Sequence, residues 1–397
     1  MTSDWKECKV ADLGEVKTGK TPKTSIKENY GGDILFLTPS DDMSVKYVRN
    51  TTKKITELGL NEVKNCLLPT DSICVSCIGS DLGKVVITTE PTVTNQQINS
   101  IIVNTELFDA DFCYYSMVQL GKLLNYHSKT STAVPIVNKS SFSNYNVLVP
   151  SLETQRKIAR VLGAIDDKIE LNNSINKNLE QQAQAIFVNM FAEHIENIEN
   201  ENTRSLSELV INIDNRGKTP PLSLEKTNYP IIDVRALSGD TRIINYNNCT
   251  KYVAEDIYNN WFRSGHPQKY DILLSTVGSL AEMKLFLGNI GCIAQNVVGY
   301  RCKISPLYMY QYLNHIKKDL LAYDIGSVQP SIKVTHIAKH PIYIPQDAEL
   351  KQFHEISESI TNEIYLNCLE NERLTQIRDT LLPKLMNGEI DVDKLEV

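Results

Sequence analysis

Two stretches of the chain place apolar residues at alternating steps of four and three positions, the spacing of a helix that packs along one seam. They cover residues 158–190 and 353–385, and we predict two long helices of the coiled-coil type. The second contains Pro383 and meets Asn387-Gly388, a signal for a helix C-terminus. The positions predicted to pack are Ile158, Leu162, Ile165, Ile169, Asn172, Asn176, Leu179 and Ile186 in the first helix, and Phe353, Ile360, Ile364, Asn367, Asn371, Leu374, Leu381 and Leu385 in the second.

Each predicted seam has two asparagines near its middle, at equivalent places. An asparagine at a seam position lowers stability but specifies the register. The alternative is that these asparagines are tolerated near a solvated edge. Helices related by a two-fold axis across them run antiparallel, and the residue numbers that face each other then have a constant sum. This geometry predicts Asn172 opposite Asn371 and Asn176 opposite Asn367.

A mixed pattern precedes each long helix. A predicted helix at residues 112–124 has a counterpart at 309–321, and each is followed by a predicted strand that ends in proline. Upstream lie short apolar runs separated by Gly, Pro and Thr, which is the pattern of strands. In the first half of the chain these runs are residues 34–37, 73–77, 85–87 and 101–103.

The two halves of the sequence repeat each other with an offset of 195 to 199 residues. Gly19-Lys20-Thr21-Pro22 recurs as Gly217-Lys218-Thr219-Pro220, and Gln96-Gln97-Ile98 recurs as Gln295-Asn296-Val297. We therefore predict an α+β protein with a pseudo-two-fold internal repeat, in which two similar mixed α/β domains are separated by two long antiparallel coiled-coil helices. The predicted parts are a first domain at 1–150, a central helix and linker at 151–203, a second domain at 204–345 and a C-terminal helix at 346–397.

Composition and charge narrow the possible classes. No run reaches 18 apolar residues, and the charged N-terminus lacks the apolar part of a secretory signal, so we expect no membrane segment and no secretion. Nine scattered cysteines, an odd number, favour reduced thiols in the cytoplasm. The net charge of −7 is uneven, since the first domain carries −1, the second +5 and the two helical segments −4 and −7.

Motifs for catalysis or metal binding are incomplete. Residues 14–21 match the P-loop pattern G-x-x-x-x-G-K-T, but Pro22 follows and no helical pattern appears, so the local sequence does not favour an NTPase that uses Lys20. Cys74 and Cys77 have the spacing of half a zinc site, and His336 and His340 are four positions apart, without further ligands at metal spacing. We find no nucleophile elbow and no acid–base pair, and we expect neither a catalytic site nor a metal site.

Polar residues that recur near strand ends are the candidates for contacts to nucleic acid. Asn and Gln side chains suit adenine, and Lys suits guanine or phosphate. The alternative is that these residues satisfy backbone groups within the fold, and their repetition favours that alternative or a shared phosphate contact. Residues that give each domain its own specificity should differ between the copies. The candidates are Lys20, Thr21, Gln96, Gln97, Lys218, Thr219, Gln295 and Asn296.

Over essentially its whole length the chain resembles the specificity subunits of type I restriction–modification systems. The two Gly-Lys-Thr-Pro segments are similar to the opening segments of the family, and residues 150–159 are similar to the start of its central helix. Residues 381–390 resemble its C-terminal signature, whereas residues 349–353 depart from the pattern at the start of the second helix.

The resemblance implies two target-recognition domains, each for one half of a bipartite double-stranded DNA site, and two helices that hold the domains apart and dock methyltransferase subunits. The implied methyltransferase uses S-adenosylmethionine and an implied restriction subunit uses ATP and Mg²⁺, whereas this chain is expected to be non-catalytic and to hold no cofactor. Two alternatives remain, a paired-domain adaptor that binds protein and, less favoured, a P-loop NTPase that uses Lys20.

Two expectations follow for DNA binding. The seam of 33 residues is roughly 48 Å long at the helical rise. One DNA turn is roughly 34 Å, so we expect half-sites about one turn apart. Because the helical segments are acidic, the isolated chain is expected to bind DNA weakly.

Overall fold

The computed structural model of this chain describes residues 5–129, 136–197, 202–288, 290–326 and 329–394. The chain forms two compact units, one of Met1–Ile169 with Glu372–Val397 and one of Glu170–Asn371. These boundaries fall inside the two long helices, so each unit contains one mixed domain and a part of each helix.

The first unit is an α+β domain. Its strands along the described chain are β1 (Lys6–Lys9), β2 (Gly14–Thr18), β3 (Tyr30–Leu37), β4 (Tyr47–Val48), β5 (Lys53–Ile55), β6 (Leu67–Leu68), β7 (Ile73–Ser76), β8 (Val85–Thr88), β9 (Thr92–Thr94), β10 (Ile98–Val103) and β11 (Asn146–Val149). Its helices are α1 (Glu57–Glu62), α2 (Ala110–Lys129), α3 (Lys139–Ser143) and the start of the long helix α4 (Leu152–Glu196).

Sheet order in the first unit brings distant parts of the chain together. One sheet has the order β2-β10-β7-β8-β4, a second has the order β5-β3-β9-β6, and β1 pairs with β11. Within the second sheet β3 and β9 are parallel, with Leu35 opposite Thr92. The four apolar runs that predicted strands lie in β3, β7, β8 and β10, so that prediction is confirmed.

The second unit repeats this plan with fewer strands. Its elements along the described chain are β12 (Thr203–Ser205), α5 (Leu206–Leu209), β13 (Val210–Ile213), β14 (Ile231–Ile232), α6 (Glu255–Trp261), β15 (Ile272–Ser275), β16 (Met283–Leu285), β17 (Cys292–Ile293), β18 (Val297–Cys302), α7 (Pro306–His315), α8 (Lys317–Leu321), α9 (Val334–Ile337), β19 (Pro341–Tyr343) and most of the long helix α10 (Asp347–Met386).

The internal repeat is present in the strand pairing as well as in the sequence. The order β13-β18-β15-β16 matches β2-β10-β7-β8, the parallel pair β14 and β17 matches β3 and β9, and β12 with β19 matches β1 with β11. Because the same pairings form in both halves of the chain, the predicted repeat and the α+β class are confirmed.

The main hydrophobic core of each unit includes ends of the long helices. In the first unit Ile158, Leu162 and Leu385 are buried in one cluster with residues of β7, β10 and α2. In the second unit the rings of Phe187 and Phe353 lie 5.7 Å apart within the main core. Apolar burial on this scale ties the helices to the domains they carry.

Helix boundaries differ in one place from the prediction and agree in another. The predicted helix at 309–321 is two helices, α7 and α8, because the backbone of Ile316 leaves the helical region at φ −88 and ψ 16. The predicted C-terminus after Met386 is confirmed. Gly388 has φ +68, and the amides of Gly388 and Glu389 donate to the carbonyls of Leu385 and Lys384, at 3.2 and 2.9 Å, which is a Schellman motif.

Candidate DNA interfaces and helix seam

The Gly-Lys-Thr-Pro loop of the first domain lies against the turn that follows β9. The amide of Gly19 donates to the carbonyl of Ile98 at 3.2 Å, and the amide of Lys20 donates to that of Thr94 at 2.9 Å. A Cβ on Gly19 would collide with the backbone oxygens of Thr94 and Asn95, so glycine is required by this close approach. Hydrogen bonds of its backbone therefore hold the loop in place.

A threonine–glutamine pair joins the two predicted segments in each domain. The Thr21 hydroxyl donates to Gln96 Oε1 at 2.8 Å, and Gln295 Nε2 donates to the Thr219 hydroxyl at 2.6 Å. Both glutamines are exposed residues. In each domain a side-chain hydrogen bond thus joins a threonine and a glutamine that are 75 or 76 positions apart in sequence.

The two lysines of these loops are exposed, and the two remaining candidates lie deeper. Lys20 and Lys218 are exposed, whereas Gln97 and Asn296 are half-buried. The amide of Cys77 donates to the carbonyl of Gln97 at 2.8 Å, and the amide of Thr276 donates to that of Asn296 at 2.9 Å. Gln97 and Asn296 therefore have a place in the fold that does not depend on a ligand.

The carboxyl ends of the parallel strands bring further side chains to the same edge. The amide of Asn95 donates to the carbonyl of Leu37 at the end of β3, and the amide of Ala294 donates to that of Ile232 at the end of β14. Beyond these points the copies differ. Arg235 donates to both carboxylate oxygens of Asp233 in the second domain, while Thr38, Ser40 and Asp41 form hydrogen bonds in the corresponding loop of the first domain. Sequence reasoning missed Arg235, although the expected difference between copies was the signal for it.

The residues of the apparent P-loop do not form a nucleotide site. Gly14–Thr18 is strand β2, paired with β10, and the segment after Pro22 contains no α-helix before β3. A P-loop needs a helix N-terminus whose amides hold phosphate. The NTPase alternative is therefore not supported.

Two residues of the incomplete metal motifs, Cys74 and His340, have pKa values that are shifted by burial in the fold. Burial raises the pKa of the Cys74 thiol to about 12. Burial also lowers the pKa of His340, whose Nδ1 lies 3.0 Å from the Tyr323 hydroxyl. Among the described residues no group of three or more His, Cys, Asp or Glu side chains is placed to hold a metal ion. In the same part of the chain no helix is long and apolar enough to cross a membrane.

The helix seam has the predicted register. Asn172 Nδ2 donates to Asn371 Oδ1 at 2.9 Å, and Asn367 Nδ2 donates to Asn176 Oδ1 at 2.9 Å. Asn172 and Asn176 are 1% and 0% exposed, which contradicts the alternative of asparagines at a solvated edge. Since both pairs form inside the second unit, the two helices run antiparallel there. All predicted packing positions of both helices are buried or half-buried.

Buried ionic contacts link each domain to the helix pair, and sequence reasoning did not find them. In the first unit Asp166 accepts from the Tyr115 hydroxyl at 2.6 Å and from Arg378 at 2.8 Å, and burial together with the Asp166 charge raises the pKa of Tyr115. In the second unit Arg242 is 0% exposed and lies 2.7 Å from a Glu180 carboxylate oxygen. In the sequence, only a charged residue in or beside a seam indicated these contacts.

Comparison with known proteins agrees with this architecture. A model of the type I restriction modification DNA specificity domain matches the chain twice, over residues 2–181 and 198–378. The specificity subunit of the type I restriction enzyme MjaIX from Methanocaldococcus jannaschii is 27% identical over 423 aligned positions, which cover 100% of this chain and 95% of the relative. The HindI specificity subunit from Haemophilus influenzae is 36% identical over 177 residues, which are 44% of this chain and 38% of that protein.

One solved structure shows the same fold at low sequence identity. The S subunit of a type I restriction–modification system from M. genitalium has a TM-score of 0.54 and 16% identity, with 97% of each chain covered. Because the family model covers most of the sequence, once in each repeat, this chain belongs to the family of type I restriction–modification DNA specificity proteins.

Proposed function

We propose that this chain is the sequence-recognition subunit of a type I restriction–modification complex, and that each of its two domains binds one half of a bipartite double-stranded DNA site. The observation that carries the proposal is the Thr–Gln pair beside an exposed lysine, built at the same place in both domains. Exposed lysine and glutamine side chains at the same place in both domains suit contacts to phosphate, which every half-site provides.

The repeated contact and the unrepeated residues divide the work of binding. Lys20 and Lys218 neutralise phosphates in both half-sites and set the register of each domain on the duplex. Sequence specificity comes from side chains that differ between the copies, since two domains with the same reading residues would recognise the same half-site. Arg235, which has no arginine counterpart in the first domain, is a candidate of this kind.

The chain acts without chemistry of its own, as a subunit that docks its partners along α4 and α10. Methyltransferase subunits supply S-adenosylmethionine-dependent adenine methylation, which requires the base to leave the helix stack. A restriction subunit supplies the ATP- and Mg²⁺-dependent activity where one is present. The nine cysteines, an odd number, suit reduced thiols and therefore work in the cytoplasm.

The test is a comparison of DNA modification with and without this chain. Genomic DNA of a host that carries the methyltransferase genes is sequenced for methylated adenine, with the gene for this chain present or deleted. The proposal expects one bipartite motif that is fully methylated in the first case and unmethylated in the second.

A direct binding measurement separates the proposal from its alternative. Methyltransferase subunits with this chain should retain a duplex that carries the motif, and the same subunits without it should not. If the chain assembles with the methyltransferase and DNA retention is the same with or without it, the chain is a protein-binding adaptor and the proposal is wrong.

A further inference from the structure

The second domain has an open cleft between the loop after β13 and the end of α6. The cleft has a volume of about 460 Å³ and is lined by Asn215, Arg216, Lys218, Asn260, Trp261 and Arg263. Its walls are joined by hydrogen bonds between the two segments. The amide of Ser264 donates to Asn215 Oδ1 at 2.8 Å, and Arg263 Nη2 donates to the carbonyl of Arg216 at 2.9 Å. The cleft is therefore a built feature and not a gap between loose loops.

Several of its polar groups already have partners. Arg216 makes two hydrogen bonds to the Asp214 carboxylate, at 2.9 and 2.6 Å, and this contact lowers the pKa of Asp214. Asn215 Nδ2 donates to the carbonyl of Gly265, and Asn260 Nδ2 donates to that of Asp256, both at 2.9 Å. Side chains of the type that recognise bases are thus used to hold the walls of the cleft.

Three groups remain available to a ligand. Lys218 is exposed and has no hydrogen bond or ion pair with any residue that the structure describes. In the described part of the chain Arg263 donates only to the backbone carbonyls of Asp214 and Arg216, although its charge also helps to lower the pKa of the nearby Asp214 carboxyl. Trp261 is 38% exposed, with its indole at the cleft. A free lysine, and an arginine that makes no hydrogen bond to a carboxylate among the described residues, lie beside an aromatic ring and suit a phosphate next to a flat or apolar group.

The first domain has no such cleft chemistry at the matching positions. With the offset of 198 residues, Trp261 corresponds to Val63, which is 3% exposed, and Asn260 corresponds to Glu62. The Glu62 carboxylate accepts from the amide of Lys23 at 2.9 Å and so brings negative charge to this place. The net charges of the two domains, −1 and +5, point in the same direction.

We infer that this cleft of the second domain binds the DNA backbone, with Lys218 and Arg263 on a phosphate and Trp261 against the adjoining sugar or base face, and that the first domain has no equivalent grip. The inference rests on the proposed function and adds an asymmetry to it. The second domain supplies the larger salt-dependent share of the affinity, and it does so without contributing to sequence recognition at this cleft.

The experiment measures affinity for a duplex carrying the methylated motif, using this chain assembled with its methyltransferase subunits, at several salt concentrations. Each phosphate contact contributes about 0.9 to the slope of log K against log salt. Lys218→Gln should therefore lower the slope by about 0.9 and weaken binding several-fold near 0.15 M salt. The matched control is Lys339→Gln, which removes the same charge from an exposed position of the same domain and should leave the slope unchanged.

Trp261 tests the aromatic part separately. Stacking on an aromatic side chain is worth about 1–3 kcal/mol per base, so Trp261→Leu should weaken binding roughly tenfold, and Trp261→Phe should restore most of the loss. The Lys218 and Trp261 variants should all leave the methylated motif unchanged, because no base is recognised at this cleft. Thermal unfolding of each variant shows that the domain is intact.

Different failures have different meanings. If the wild-type complex does not bind the motif selectively, the proposed function fails and the inference with it. If the wild-type complex binds selectively while Trp261→Leu binds as wild type, the inference alone is overturned. If Lys218→Gln and Lys339→Gln have the same slope, the inference fails together with the phosphate contact proposed for Lys218, while sequence recognition by the complex stands. A changed methylation motif in either cleft variant would also overturn it, because the cleft would then read bases.

Discussion

The paired asparagines of the helix seam predict which substitutions lower the free energy of unfolding and which restore it. In the second unit Asn367 Nδ2 donates to Asn176 Oδ1 at 2.9 Å, and the two residues are 8% and 0% exposed. Replacing Asn367 by leucine removes the donor and leaves the Asn176 oxygen buried without it. A buried polar group that loses its partner costs about 1–3 kcal/mol. We therefore expect Asn367→Leu to lower the free energy of unfolding by that amount.

The second substitution should reverse the effect. The next seam positions are apolar, since Ala183, Ile360 and Ile364 form a buried cluster that Leu179 joins. With Asn176→Leu added, two leucines extend this cluster and no buried amide is left unpaired. The double variant should then be at least as stable as wild type, which corresponds to a coupling free energy of about 2 kcal/mol or more in a double-mutant cycle. The double variant regains stability but lacks an asparagine pair that helps to specify the register of the two helices.

The tryptophans of the chain allow the unfolding of the second unit to be followed separately. It contains two tryptophans, Trp5 in the first unit and Trp261 in the second. In a Trp5→Phe background, urea unfolding followed by tryptophan fluorescence reports the second unit. Asn362→Leu is the matched control, because this asparagine is exposed on the same helix and its replacement should change stability by less than about 0.5 kcal/mol. Single variants as stable as the control, or losses that simply add in the double variant, would refute the reasoning.

Three further predictions concern recognition, spacing and pH. Exchanging residues 1–150 for those of another specificity protein should change one half of the methylated motif, and a change in both halves on methylation mapping would contradict independent recognition. Adding one heptad to both long helices should widen the unrecognised spacer of the motif and leave each half-site as it was; an unchanged spacer would contradict the role of the helices. Lys284 is 2% exposed, and burial lowers its pKa to about 8 from 10.5. Since the unfolded chain binds a proton between those pH values that the folded chain does not, stability should rise with pH above 8, by about 2 kcal/mol up to pH 9.5. The difference in urea midpoint between wild type and Lys284→Met should show this rise, and a difference independent of pH would oppose it.

The duplicated architecture and the helix register could be predicted because both depend on periodicity. A step of four and three residues specifies which face of a helix is buried, and two equivalent asparagine pairs leave one antiparallel register in which each amide has a partner. Asn172 therefore faces Asn371 as predicted. The threonine–glutamine contact could be anticipated only as two recurring segments, since nothing local says that residues 75 positions apart will touch.

Contacts without a repeated or periodic signal required the folded chain. Arg242 reaches Glu180 across 62 residues and Thr361 across 119, and in sequence it is one arginine in an unremarkable loop. The cleft of Trp261 and Arg263 depends on where a short helix ends relative to a loop more than 40 residues earlier. The break at Ile316 between α7 and α8 likewise has no strong local cause. Periodicity is a property of the chain, whereas these contacts depend on the tertiary packing that brings unrelated segments into one place.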